Sequence, residues 1–206
     1  MRAKHPLSRF RFGSATAIGL FVLNSLPCAA QTAPTTGPSS ERCANISLTA
    51  EGFANAYYDI ASHGDLLDVA FIERTLQTQF RSRGVTENGT LNPQRKHYMT
   101  DAILGVPIAV TLDVKEDPTQ PRGRSGGGML RFDFARIVDC LPISLRTVSQ
   151  RFNAQFLEVP ILHSLKDSST GANLSGIGGS TVHIGFSYRR ADKVIIGAAI
   201  DQSPSR

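Results

Sequence analysis

The sequence predicts an α+β fold: an antiparallel sheet with helices packed on one face, preceded by an N-terminal helix, in which two αββ repeats can be read. Three observations predict it. Apolar residues recur at helical steps over 53–61 and again over 72–80. They alternate with polar residues over 108–114, 130–134 and 181–200, the period of half-buried strands. A helix–strand–strand order then occurs twice, which places the chain in the layered α+β class.

Helical periodicity starts with Phe53, Tyr57, Ile60 and Ala61 on one face, with Ser47 and Thr49 as candidate caps and Gly64 as the break. A second helix begins near Asp65 or Asp68 and carries Ile72, Leu76 and Phe80 at steps of four. Residues 81–97 contain Gly84, Asn88-Gly89 and Pro93 and read as loop. Ile108, Val110, Leu112 and Val114 then form one face of a strand, as do Leu130, Phe132 and Phe134. The intervening 116–128, EDPTQPRGRSGGG, is too long and too rich in glycine and proline for a tight hairpin turn. After Cys140, Pro142 is placed in the first turn of a third helix whose face is Leu145, Val148, Phe152 and Phe156. Residues 165–180 read as a second loop, and the chain ends on strands over 181–189 and 193–200.

A shift of 76 residues aligns the two halves. It superposes Asp68 on Ser144 as helix caps, Ile72 on Val148, Leu76 on Phe152, and Gln79-Phe80 on Gln155-Phe156. The repeats this defines cover 65–138 and 141–202, within one α+β domain over 41–206.

Residues 1–30 have the order of a secretory signal peptide. Arg2, Lys4, Arg9 and Arg11 precede an apolar stretch from Ala15 to Leu26, and Cys28-Ala29-Ala30 ends it with small residues. Cleavage falls between Ala30 and Gln31; acylation at Cys28 is the lipoprotein alternative, for which Leu26 and Pro27 are poor neighbours. Residues 31–40, QTAPTTGPSS, are an uncharged flexible tether. No apolar run approaches the ~20 residues that span a bilayer.

The leader changes what the composition means. The 206-residue chain has 22 Lys+Arg against 17 Asp+Glu, a net +5. Loss of residues 1–30 takes four basic residues and no acid, leaving 18 against 17 and a net +1. Nucleic-acid binding needs many clustered cations, so that class is excluded as an expectation. The same cut discards Cys28 and leaves Cys43 and Cys140, an even pair that in an exported protein predicts a disulfide.

The motifs that resemble reactive sites each lack a part. Gly123-Arg124-Ser125-Gly126-Gly127 resembles a serine-protease nucleophile loop, with Arg in place of Asp and no histidine base in a matching context. Gly176-Ile177-Gly178-Gly179 follows no expected strand and opens no helix, so it is not a phosphate cradle. His63, His97, His163 and His183 include no pair at i+3 or i+4, and Asp113, Glu116 and Asp117 form no recognisable metal loop. The expectation is therefore no catalytic set, no metal and no cofactor. The strongest charge feature is Arg122, Arg124 and Arg131, able to clasp an anionic group or acidic partner through charge-assisted bonds. Asn45-Ile46-Ser47, Asn88-Gly89-Thr90 and Asn173-Leu174-Ser175 read as unmodified polar turns.

Two resemblances follow from these elements. A capped helix ending at an aromatic residue, then an antiparallel pair such as VHIGFSYRRADKVIIGAAI, resembles the β-lactamase-inhibitor-like and outer-membrane-assembly (BamE-type) αββ modules, over residues 68–200. That resemblance implies an exported bacterial unit, periplasmic or secreted, that binds another envelope or secreted protein, with the antiparallel sheet face and a mobile 116–128 loop as the expected contact surface. FANAYYDIASHGDLLDV at 53–69 resembles the opening helices of NTF2-like folds. This implies the alternative, a ligand-binding protein or small hydrolase whose pocket would draw together Tyr57, Asp113, His97 or His183.

Overall fold

Thr49, in extended backbone, caps the first helix with its side-chain oxygen on the Gly52 N–H, and Gly64 ends it in the left-handed region at φ 69°. That helix, α1, is Ala50–His63. Asp68 caps α2 (Val69–Leu76) in the same way through the Phe71 N–H, and Ser144 caps α3 (Leu145–Phe152) through the Thr147 N–H. The computed structural model describes residues 43, 46–117, 119, 126–153, 156–160 and 167–204. Residues 1–40, where a signal peptide and a tether are expected, lie outside them, as do His163, Arg122 and Arg124. No helix among the described residues is long and apolar enough to cross a membrane.

Among the described residues eight strands make one sheet: β1 (Arg81–Glu87), β2 (Thr90–Thr100), β3 (Ala109–Glu116), β4 (Gly126–Asp133), β5 (Leu157–Pro160), β6 (Asp167–Ser175), β7 (Thr181–Arg189) and β8 (Ile195–Ser203). Their spatial order is β1-β2-β3-β4-β8-β7-β6-β5, and every neighbouring pair is antiparallel. Each half of the sheet is a run of four strands joined in sequence. The halves meet at β4 and β8, where Leu130 lies opposite Ile200 and Phe132 opposite Ala198.

Alternation along the central strands separates two faces. Val110, Phe132, Ala198 and Phe186 form one cross-strand row of buried side chains, and Leu112, Leu130, Ile200 and Ile184 form the next. We call this the inner face. Helix α1 lies against it, with the Phe53 ring edge-on to Phe132 and Phe134 at 5.4 and 4.9 Å and the Tyr57 ring 4.9 Å from Phe186. Helix α3 meets α1 through Phe152, whose ring is 6.0 Å from Tyr57 and 5.0 Å from Tyr58.

Tyr57 is buried, and its phenol donates to the Ala199 carbonyl at 2.6 Å. Burial pushes its pKa well above the usual value; the hydrogen bond toward Gly185 works weakly the other way. The folded state therefore keeps a proton that the unfolded chain releases above about pH 10, so stability falls there as pH rises. Urea titrations between pH 9 and 11 are expected to show a decline up to about 1.4 kcal/mol per pH unit steeper than in a Tyr57→Phe variant. Equal slopes would contradict it.

Cys43 and Cys140 are bonded, with sulfurs 1.97 Å apart and Cα atoms 5.2 Å apart. The bond ties the start of the domain to the connection between β4 and α3.

Several expectations are corrected. Residues 81–97 are not loop: Asn88 and Gly89, at φ 51° and 79°, make the tight turn of the β1–β2 hairpin. These strands are exposed along most of their length, so no apolar alternation marks them. Residues 167–175 are likewise β6, paired along its length with β7, and only Ile177–Gly179 is a helical turn. Gly126, Gly127 and Gly128 are strand, paired with Glu116, Lys115 and Val114, so the β3–β4 connection is shorter than expected. Pro142 precedes the α3 cap rather than lying in the first turn, and Phe80 and Phe156 fall beyond the ends of their helices. The unit in each half is thus one helix and four strands, where one helix and two strands were expected.

Candidate functional site

The outer face of the sheet carries the polar half of the alternation. In β7, Val182, Ile184, Phe186 and Tyr188 are buried, which turns Thr181, His183, Gly185 and Ser187 outward. The registers align a row across six strands: His97 on β2, Asp113 on β3, Met129 on β4, Asp201 on β8, His183 on β7 and Asn173 on β6. The next row is Met99, Thr111, Arg131, Ala199, Gly185 and Gly171.

Two histidines of the first row are held by hydrogen bonds. His97 Nδ1 is 2.6 Å from Asp113 Oδ1, and the acceptor requires that Nδ1 carry the proton, leaving Nε2 as the acceptor of the neutral ring. Arg131 lies 3.9 Å from the other Asp113 oxygen. His183 Nδ1 is 2.7 Å from Asn173 Oδ1, which sets the same tautomer.

The second row supplies small residues where the first supplies polar ones. Gly171, Gly185, Gly197 and Ala199 floor a concavity of about 790 Å³, rimmed by Arg131, Asp201, His183 and Asn173. The glycines differ in what they permit. A Cβ at Gly171 would lie 2.5 Å from the Ile184 carbonyl oxygen and 3.0 Å from the His183 ring, whereas at Gly185 the nearest atom is the Thr170 oxygen at 3.8 Å. A smaller concavity of about 340 Å³ adjoins it toward β2 and β3, sharing Met129, Arg131 and Asp201.

The expected residues divide accordingly. Arg131 stands on the outer face between the two concavities, with its side chain 58% exposed. His97 and Asp113 do come together, but their side chains are 28% and 37% exposed on an open face, and no closed pocket surrounds them. Tyr57 is on the opposite face, and His183 stands beyond β4 and β8 from that pair, so the four residues do not converge. Asp113, Glu116 and Asp117 also separate: Glu116 lies 3.9 Å from Lys96, while hydrogen bonds from Thr119 hold Asp117 below the usual carboxylate range. Among the described residues no three His, Cys, Asp or Glu side chains are grouped to hold a metal. Gly176–Gly179 serves the fold: Gly176 packs against Gly64, where a Cβ would meet its Cα at 2.8 Å, and the Ile177 N–H donates to the Gly64 carbonyl.

Sequence reasoning placed Gly185 with His183 on the polar face of its strand and missed Arg95, Lys115 and Gly197 as members of this face. Strand β7 alternates cleanly, which marks Gly185, whereas the β7–β8 register shifts between Ser187 and Tyr188, next to Gly197, so its outward position cannot be counted from the sequence. Arg95 sits in the hairpin read as loop. Comparisons with family models, curated proteins and solved structures find no match for the chain.

Proposed function

We propose that this chain is an exported protein that binds another protein of the cell envelope through the outer face of its sheet, without catalysing a reaction. The observation that carries the reading is the open concavity over β6, β7 and β8, where glycine and alanine leave room beside a row of oriented polar side chains. Oriented donors and acceptors around an apolar floor suit insertion of a partner loop. The leader-like residues 1–30 and the Cys43–Cys140 bond support export to an oxidising compartment, periplasmic or secreted. The resemblance to protein-binding αββ modules points the same way, and we read the three helices as one layer on the inner face and the two halves as a structural repeat.

A photo-crosslinking residue at Gly185 is expected to capture a defined envelope protein, while one at Asn55 on the exposed side of α1 captures none. Equal capture from both positions would contradict the reading. A second reading, a small ligand-binding protein or hydrolase, draws on the His97–Asp113 pair. It requires that Asp113→Asn abolish an activity while leaving crosslinking from position 185 intact.

A further inference from the structure

We infer that the partner presents an acidic loop, whose carboxylates meet the cationic end of the outer face while its backbone lies over the glycine floor. The inference rests on the docking role proposed for this face and adds the chemistry of what docks. The smaller concavity is lined on the outer face by three cationic residues, Arg95, Lys115 and Arg131, against two carboxylates, Asp113 and Asp201. Register sharpens the point. Arg95 on β2 and Lys115 on β3 are directly opposite cross-strand neighbours on the same face, and Arg83 on β1 is opposite His97. Like charges placed opposite each other destabilise a sheet, so this arrangement works against the fold and suits a bound anion.

Internal pairing relieves only part of it. Arg95 is ion-paired with Glu87, whose carboxyl is held below its usual range by hydrogen bonds from Asn92 and Arg95. Arg131 is 3.9 Å from Asp113, a separation at which an incoming carboxylate competes readily. The cations lie at one end of a continuous depression whose other end is uncharged and floored by Gly185 and Ala199. An extended loop with acidic residues toward one end matches both parts. A partner protein is favoured over a polyanion because the chain beyond residue 30 is nearly neutral and its face also carries carboxylates that a phosphate backbone would meet.

The test uses labelled peptides of equal length, one rich in glutamate and one rich in lysine, with vesicles containing an anionic phospholipid as a third probe. The glutamate peptide is expected to bind, more weakly as salt rises, and the double variant Lys115→Glu/Arg131→Glu to weaken it roughly tenfold or more. Arg136→Glu, half that charge change placed on the β4–α3 connection, is expected to leave binding unchanged, whereas Lys115→Glu alone is expected to weaken it by less than the double variant does. Equal binding of the lysine peptide, undiminished binding by the double variant, or vesicle binding with the same dependence would overturn the acidic-loop assignment. Circular dichroism of the double variant separates lost binding from lost fold, and Lys115→Gln with Arg131→Gln provides a milder pair. Crosslinking from position 185 that survives the double variant leaves the docking role standing and removes only the acidic chemistry.

Discussion

Replacing Cys43 and Cys140 together by serine lowers the unfolding free energy by about 2–5 kcal/mol. The bond closes a loop with a sequence separation of 97 residues, for which the chain-entropy model gives about 4.7 kcal/mol. That loop contains α1, α2 and β1 to β4, so in the unfolded chain the bond restrains half of the sheet. Urea denaturation with and without reductant measures the effect, and a midpoint unchanged by reduction would contradict it. Because the bond lies at neither concavity, reduced protein below its unfolding temperature is expected to retain the outer face.

The second large effect falls on a residue no motif marks. Gln202, near the end of β8, is buried; its Oε1 accepts from the Leu66 N–H at 2.7 Å, and its Nε2 donates to the Gly64 carbonyl at 2.9 Å and to Ser180 Oγ at 3.1 Å. One amide thereby joins the α1–α2 corner, the turn before β7 and the last strand. Gly64 must be glycine there, since its φ is 69° and Gly176 packs where a Cβ would project. Gln202→Leu keeps the bulk and removes every side-chain hydrogen bond. The buried Leu66 N–H is stranded, while Gly64 retains the Ile177 donor. The expected cost is about 2–4 kcal/mol, set by the desolvation of groups left unpaired. Thermal unfolding checks it, and a melting temperature within error of the parent would show that water or a local shift replaces the amide.

Legibility in the sequence followed burial. Phe53, Tyr57, Ile60 and Ala61 face the sheet as their spacing indicates, and Thr49, Asp68 and Ser144 cap helices as their positions indicate. Strands β3, β4, β7 and β8 bury one face each, so their alternation is visible. Strands β1 and β2 bury almost nothing, and Thr170, Ser168 and Gly171 of β6 are small or polar although two of them are buried. Without an apolar period, Asn88-Gly89 could be read as a loop signal as easily as a hairpin turn. The outer face was hidden for a further reason. Lys115 and Gly185 acquire meaning only through register, which sets which residues on separate strands become neighbours. Arg131 alone of the three expected arginines lies among the described residues, and it stands where both concavities meet.

The outer face is expected to close without disturbance of the core. Gly185 has no left-handed backbone requirement and 3.8 Å of clearance, so Gly185→Tyr places a ring in the concavity while Phe186 and Ile184 stay packed on the other side. The decisive measurement is the affinity of this variant for the protein captured by crosslinking, alongside its thermal unfolding. An unchanged melting temperature with affinity reduced roughly tenfold or more is the predicted result for a filled docking site. Undiminished affinity in a folded Gly185→Tyr protein would contradict the claim that this face is where the partner binds.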